Sequence, residues 1–201
     1  MTELSIAAIG VVLLGYLLGS VPFGLLLSKA AGLGDIRKIG SGNIGATNVL
    51  RTGNKPIALA TLLLDGGKAA AAFLIAQAIS PEAAPLAGAA AFLGHLYPVF
   101  LGFKGGKGVA SFGGLLLAMA WPVGLLWAAS WLILLALFRM SSLAGLLSAA
   151  LTPLFAWAFA TPQITIFCGA LAIAIFFKHS ANIGRILKGT EPRIGRPKNW
   201  K

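Results

Sequence analysis

Three polar segments in an otherwise apolar chain carry residue types that could do chemistry. The first is Gly40-Ser41-Gly42-Asn43-Ile44-Gly45-Ala46-Thr47-Asn48-Val49-Leu50-Arg51. Its glycines allow backbone conformations in which N–H groups converge on an anion. Ser41, Asn43, Thr47 and Asn48 add neutral donors, and Arg51 closes the stretch with a planar fork suited to phosphate. No carboxylate lies between Gly40 and Arg51. The segment therefore reads as a phosphate-binding loop rather than a polar linker with one orienting arginine. The second is Lys104-Gly105-Gly106-Lys107-Gly108, which runs into an apolar helix pattern at Val109. A glycine-rich turn that opens a helix offers N–H groups and a positive dipole end, and the two lysines add point charges. The spacing is not that of a Walker A loop. Locally, an anion site and a short turn with two orienting lysines fit equally well. The third is His179-Ser180-Ala181-Asn182-Ile183-Gly184-Arg185, running on to Glu191. On a helix, His179 and Asn182 share a face, with Ile183, Ile186 and Leu187 beside them. That pattern describes a helix lying in the membrane interface. Histidine is the side chain most able to exchange a proton near neutral pH.

Two features are read more plainly. Asp65 and Lys68 lie three residues apart inside an apolar run, where mutual pairing gives both a structural role. His95, in Gly94-His95-Leu96-Tyr97-Pro98, reads as a packed helix-end histidine, with support of the glycine turn as the alternative. Ser142 follows Arg139 and could line the same site.

Lipid-embedded helices must position these segments. Of 201 residues, 58% are apolar and 10% charged, against about 45–50% and about 25% in ordinary globular domains. A water-exposed surface and a disordered chain are both excluded. Each span needs about 17–25 apolar residues. The candidates are 4–28, 56–79, 83–101, 109–120, 122–138, 143–160 and 163–177, with 109–138 either one helix kinked at Pro122 or two. Charge settles the count. With seven spans and the N-terminus outside, the inner segments 29–55, 102–108, 139–142 and 178–201 hold five, two, one and seven of the sixteen Lys and Arg residues. Lys68, the sixteenth, is within a span, and the outer segments hold only Glu3 and Glu82. The positive-inside bias therefore predicts an all-α, polytopic integral membrane protein with seven transmembrane helices, N-terminus outside and C-terminus cytoplasmic. The acidic start Met1-Thr2-Glu3 argues for a retained first span over a cleaved signal. Glycine and alanine runs such as Ala69–Ala72 predict close helix packing. The chain reads as a single membrane domain, 1–201. Its net charge of +11 sets orientation or attracts an anionic substrate, and no nucleic-acid partner is expected. Cys168 is the single cysteine, so no intrachain disulfide is possible and no cysteine cluster suggests a metal; no cofactor is expected.

Together the three segments resemble the bacterial PlsY family, the integral-membrane acyl-phosphate:glycerol-3-phosphate acyltransferases. The resemblance rests on Ser41, Asn43, Gly45–Asn48 and Arg51; on Gly94-His95, Pro98, Phe100 and Lys104–Ala110; and on His179, Asn182-Ile183, Arg185, Gly189 and Glu191. Ser111 stands where the family more often has Thr, and residues 192–201 are not covered. The resemblance implies transfer of a fatty acyl group from acyl phosphate to the 1-hydroxyl of glycerol 3-phosphate. The products are lysophosphatidate and phosphate, in the first acylation of phospholipid synthesis. It also implies an inner-membrane site on the cytoplasmic face and a functional link to an enzyme that makes acyl phosphate. Ser41, Arg51, Lys107, His179 and Asn182 would be catalytic. Asn43, Thr47, Asn48, Lys104, Gly105, Gly106, Gly108 and Ser142 would bind substrate, and Glu191 would be structural. The competing function is a membrane transporter of phosphorylated metabolites. It would need polar residues through both halves of the bundle, whereas here they gather on one side.

Overall fold

The computed structural model describes residues 6–195, which are helical with no strand among them. The start of the expected first span, Leu4-Ser5, the acidic residues before it and residues 196–201 of the basic tail lie outside the described residues. The sequence reads as one domain; the helices pack as two compact units, Met1–Met119 and Ala120–Lys201.

The first unit holds α1 (Ile6–Ser20), α2 (Phe23–Ala30), α3 (Ala46–Leu50), α4 (Lys55–Ile79), α5 (Ala84–Leu96) and α6 (Val109–Met119). The second holds α7 (Trp121–Phe138), α8 (Ser141–Phe159), α9 (Pro162–Lys178) and α10 (Ser180–Leu187). Local chemistry sets the boundaries. Asn54 caps α4, its Oδ1 accepting from the Ile57 N–H at 3.1 Å, and Thr161 caps α9. Pro56, Pro122 and Pro162 occupy first turns, where a missing N–H costs nothing. Pro122 therefore starts α7 rather than kinking a longer helix, and 109–138 is two helices.

Lys55–Ile79, Pro81–Leu101, Trp121–Phe138 and Ser141–Phe159 are long and apolar enough to cross a membrane. The count reaches six when the bent pairs α1–α2 (41°) and α9–α10 (66°) are each taken as one span. The expected continuous first span 4–28 is broken at Val21-Pro22, because proline cannot continue the hydrogen-bond ladder. The expected fourth span is α6, only 11 residues long.

The surface is inverted relative to a water-soluble protein. Leu63, Leu132, Leu137, Ile166 and Phe177 are exposed, while Ser20, Thr61, Asp65, Lys68, Ser111, Ser148 and Thr152 are buried. Apolar side chains lose nothing by facing lipid, whereas polar groups must find partners inside the protein. Without a hydrophobic drive between helices, close packing holds them together. A Cβ at Gly19 would strike the Ala91 backbone on α5, and one at Gly114 the Gly66 backbone on α4.

Candidate active site

In the first unit, residues 35–51 form a loop built around one side chain. Asn48, on α3, is 1% exposed. Its Nδ2 donates to the Ile36 and Ile39 carbonyls at 2.7 and 3.3 Å. Its Oδ1 accepts from the Ser41 N–H at 3.0 Å, from Ser41 Oγ at 3.3 Å and from Arg51 Nη1 at 3.3 Å. Both ends of the amide are thus committed inside the loop. The sequence reading gave Asn48 to substrate; the structure gives it the work of holding Ser41 and Arg51 together. Leu25, Ile36, Ile44, Val49 and Ala58 form the small core beneath, with Leu101 packed against it. The loop and the entry to the glycine turn thereby share one end of the unit. Asn43 is half-buried and its Oδ1 accepts from the Ile44 N–H; Thr47 is half-buried and Ser41 exposed.

Charge at this end is predominantly positive. Among the described residues, eight Lys or Arg side chains in the first unit face three carboxylates. Asp35 is paired with Arg37 at 2.6 Å, and that hydrogen-bonded guanidinium holds its carboxyl well below the usual range. Asp65 is paired with Lys68 at 3.1 Å. Neither aspartate offers a repulsive charge to an incoming anion.

The turn Lys104–Gly108 is pressed against the end of α5. The Gly106 N–H donates to the His95 carbonyl at 2.9 Å. A Cβ at Gly106 would collide with His95 Nε2, and one at Gly105 with the His95 carbonyl and Pro98. Gly108 has φ +83° and faces Phe92 and Leu96, so it needs a residue without a Cβ on both grounds. The turn leads directly into α6. Lys104 is exposed and Lys107 half-buried. Upstream, Tyr16 Oη donates to the Tyr97 carbonyl at 2.7 Å, and Ser20 Oγ accepts from the Val99 N–H at 3.4 Å. The expected helix-end role of His95 therefore comes with direct contact to the glycine turn. Lys68 also donates to the Val21 carbonyl at 2.8 Å, which satisfies backbone exposed by the break before Pro22.

The second unit organises the third segment around Glu191. Glu191 Oε1 accepts from Ser142 Oγ at 2.5 Å and from Asn182 Nδ2 at 2.6 Å, and Oε2 accepts from Arg185 Nε at 2.7 Å. Burial works to raise the Glu191 carboxyl, but the hydrogen bonds from Ser142, Asn182 and Arg185 outweigh it and hold the group below its ordinary value. Ser142, read from sequence as a substrate contact, has its hydroxyl turned onto this carboxylate. His179 lies between α9 and α10 and is 2% exposed. Its Nδ1 is 2.8 Å from the Ile175 carbonyl. A carbonyl only accepts, so Nδ1 carries a proton in this contact. His179 and Asn182 are both buried, as their shared face requires. Leu187, placed in the apolar stripe, is 83% exposed.

The family model described as Glycerol-3-phosphate acyltransferase matches residues 9–189. The chain is 62% identical over 185 residues to the glycerol-3-phosphate acyltransferase of Jannaschia sp. (strain CCS1), covering 92% of this chain and 91% of that one. It is 60% identical over 181 residues to that of Mesorhizobium japonicum, covering 90% and 93%. Among solved structures it is similar to the glycerol 3-phosphate form of PlsY, an integral membrane glycerol 3-phosphate acyltransferase. The TM-score is 0.87 and the identity 36%, over 94% of this chain and 96% of that one. The form of PlsY with lysophosphatidic acid gives 0.85 and 35%, over 94% and 95%. With its inverted surface, its cationic glycine turn and this agreement over nearly its whole length, the chain belongs to the glycerol-3-phosphate acyltransferase family and is an integral membrane acyltransferase.

Proposed function

We propose that this chain transfers a fatty acyl group from acyl phosphate to the 1-hydroxyl of glycerol 3-phosphate, releasing lysophosphatidate and phosphate. The observation that carries the reading is the turn Lys104–Gly108. It is cationic, opens a helix and lies in a unit whose two aspartates are each neutralised by a neighbour. Both substrates are phosphorylated, so a binding region with many donors and excess positive charge suits them. The PlsY structures named for glycerol 3-phosphate and lysophosphatidic acid, at 36% and 35% identity, support the same acceptor and product.

The roles follow from the chemistry. The turn, with Lys104 and Lys107, binds the phosphate of glycerol 3-phosphate, and Arg51 is a second charge partner. Ser41 and Asn182 orient the hydroxyl and the donor; Asn43 and Thr47 line the loop. The hydroxyl oxygen attacks the acyl carbonyl carbon, the carbon–oxygen bond to phosphate breaks, and phosphate leaves with that electron pair. The hydroxyl proton passes to an oxygen of the departing phosphate or to His179 Nε2. Positioning alone can supply about 7–11 kcal/mol, so His179 acts either by accepting the proton or by holding the hydroxyl in line.

The proposed topology has seven spans, with α6 the short fourth, N-terminus outside and C-terminus cytoplasmic in the bacterial inner membrane. The crowding of Lys and Arg into the four inner segments supports it. Impermeant thiol reagents should label Glu82→Cys but not Gly53→Cys in intact spheroplasts; the reverse pattern would invert the topology. An acyl-phosphate-producing enzyme is the implied supplier of the donor.

The decisive assay compares acyl phosphate with acyl-CoA, each with glycerol 3-phosphate, on purified protein. Phosphate release that needs both acyl phosphate and glycerol 3-phosphate is expected. Turnover with acyl-CoA alone would overturn the donor assignment. Glycerol 3-phosphate flux in sealed vesicles without acylation would point to a transporter instead.

A further inference from the structure

The buried face between α4, α5 and the glycine turn holds polar groups that the reaction above does not use. His95 is 4% and Asp65 2% exposed. His95 Nδ1 lies 3.6 Å from Asp65 Oδ1 and has no hydrogen-bond partner among the described residues. On its other side the ring abuts Gly106, which has no room for a Cβ. Both residues also hold the turn through their backbones. The His95 carbonyl accepts from the Gly106 N–H at 2.9 Å. The Asp65 carbonyl accepts from Ser111 Oγ, in the first turn of α6, at 2.8 Å. The turn is therefore pinned before and after Lys107 by two residues whose side chains face each other.

We propose that Asp65 and His95 form a buried positioning pair that fixes the shape of the turn Lys104–Gly108, and with it the affinity for the acceptor's phosphate. The proposal rests on the reading of that turn as the acceptor phosphate site. Neutralising Lys68 would require only a carboxylate beside it. It would not require a histidine ring between that carboxylate and the one glycine whose N–H is tied to the same histidine. Asp65 orients the ring, and the ring's far edge sets where Gly106 can lie. With the Gly106 N–H committed to His95, phosphate affinity depends on where the turn holds Lys104 and Lys107, and a misplacement of about 1 Å can cost on the order of a hundredfold.

The test uses the full-length protein in detergent with saturating acyl phosphate. His95→Phe keeps a ring but removes its contact with Asp65. Asp65→Asn with Lys68→Met removes the carboxylate and leaves no buried lysine unpaired, so it reports on the pair if His95→Phe fails to fold. Both are expected to raise KM for glycerol 3-phosphate about tenfold or more. KM for acyl phosphate and kcat should change less than about threefold, which a general loosening of the bundle would not produce. Lys107→Ala is assayed alongside. If it raises KM for glycerol 3-phosphate while neither pair variant does, the positioning role is wrong and the turn assignment stands. If Lys107→Ala leaves that KM unmoved, the turn assignment itself fails and takes the pair with it. If the pair variants lower kcat and raise both KM values together, the pair is scaffold only and the proposal is overturned.

Discussion

Replacing Glu191 is the sharpest probe of the second unit, because one carboxylate there collects three donors. Hydrogen bonds to a charged group contribute about 1.5–3 kcal/mol each. The Arg185 side chain is 37% exposed, and a pair of that kind contributes about 0–1 kcal/mol. The bonds from Ser142 and Asn182 therefore dominate, less the cost of burying the carboxylate. Glu191→Gln keeps an acceptor for Ser142 and Asn182 but removes the charge, and should destabilise by about 1–2 kcal/mol. Glu191→Ala strands the buried Asn182 amide and should cost about 2–5 kcal/mol. Cys168, the single cysteine and fully buried, gives the assay: a thiol-reactive dye reports unfolding as this thiol becomes accessible. The expected order of unfolding midpoints is wild type, then Arg185→Ala, then Glu191→Gln, then Glu191→Ala. The pH dependence has a definite sign. The folded carboxyl lies below its unfolded value, near 4.3, so its stabilisation is complete above that value and lost as pH falls through the folded one. Glu191→Gln should flatten the acid limb of the stability profile. An Arg185→Ala loss greater than that of Glu191→Ala, or an unchanged acid limb in Glu191→Gln, would refute the reasoning.

Other substitutions test other joints of the structure. Lys68→Met leaves Asp65 buried without its cation and should cost about 3–5 kcal/mol in the same dye assay, with the further substitution Asp65→Asn restoring most of it. Asn48→Asp retains an acceptor for Ser41 and Arg51 but sets an oxygen against the Ile36 carbonyl. It should lower stability by about 1–3 kcal/mol, and an unchanged midpoint would mean that Asn48 does not organise the loop. For His179→Ala, steady-state kinetics separate the two roles: a raised KM for glycerol 3-phosphate with near-normal kcat marks a positioning histidine, and a kcat loss of about a hundredfold or more marks a proton acceptor. Arg51→Ala should weaken the use of phosphorylated substrate in a protein whose unfolding midpoint is little changed. Unchanged kinetics would remove Arg51 from the phosphate site.

Much of the architecture was legible before any coordinates. The membrane environment and the helix-only fold follow from a local property, the length of the apolar runs. In lipid a backbone must satisfy its own hydrogen bonds, so an apolar run of sufficient length has almost no alternative to a helix. The glycine turn was visible for a similar reason, since Gly-Gly-Lys-Gly before an apolar run is a local pattern. Sequence could not say that 4–28 would break and bend at Val21-Pro22, because lipid-embedded helices sometimes absorb a proline. The outcome here involves a lysine on another helix reaching the exposed Val21 carbonyl.

Tertiary structure alone decided which polar residues distant in the chain face each other. Asn48 looked like a donor to substrate until its two amide ends were seen holding Ile36, Ser41 and Arg51. Ser142 looked like a lining residue until its hydroxyl was found on Glu191, 49 positions away in the chain. His95 and Asp65 are 30 positions apart and share no local pattern, yet together they hold the glycine turn. Hydropathy and helical period specify how far a segment extends and which face it buries. A hydrogen bond requires its donor and acceptor to lie within about 3 Å and in line, and that condition is met only when separate helices have packed.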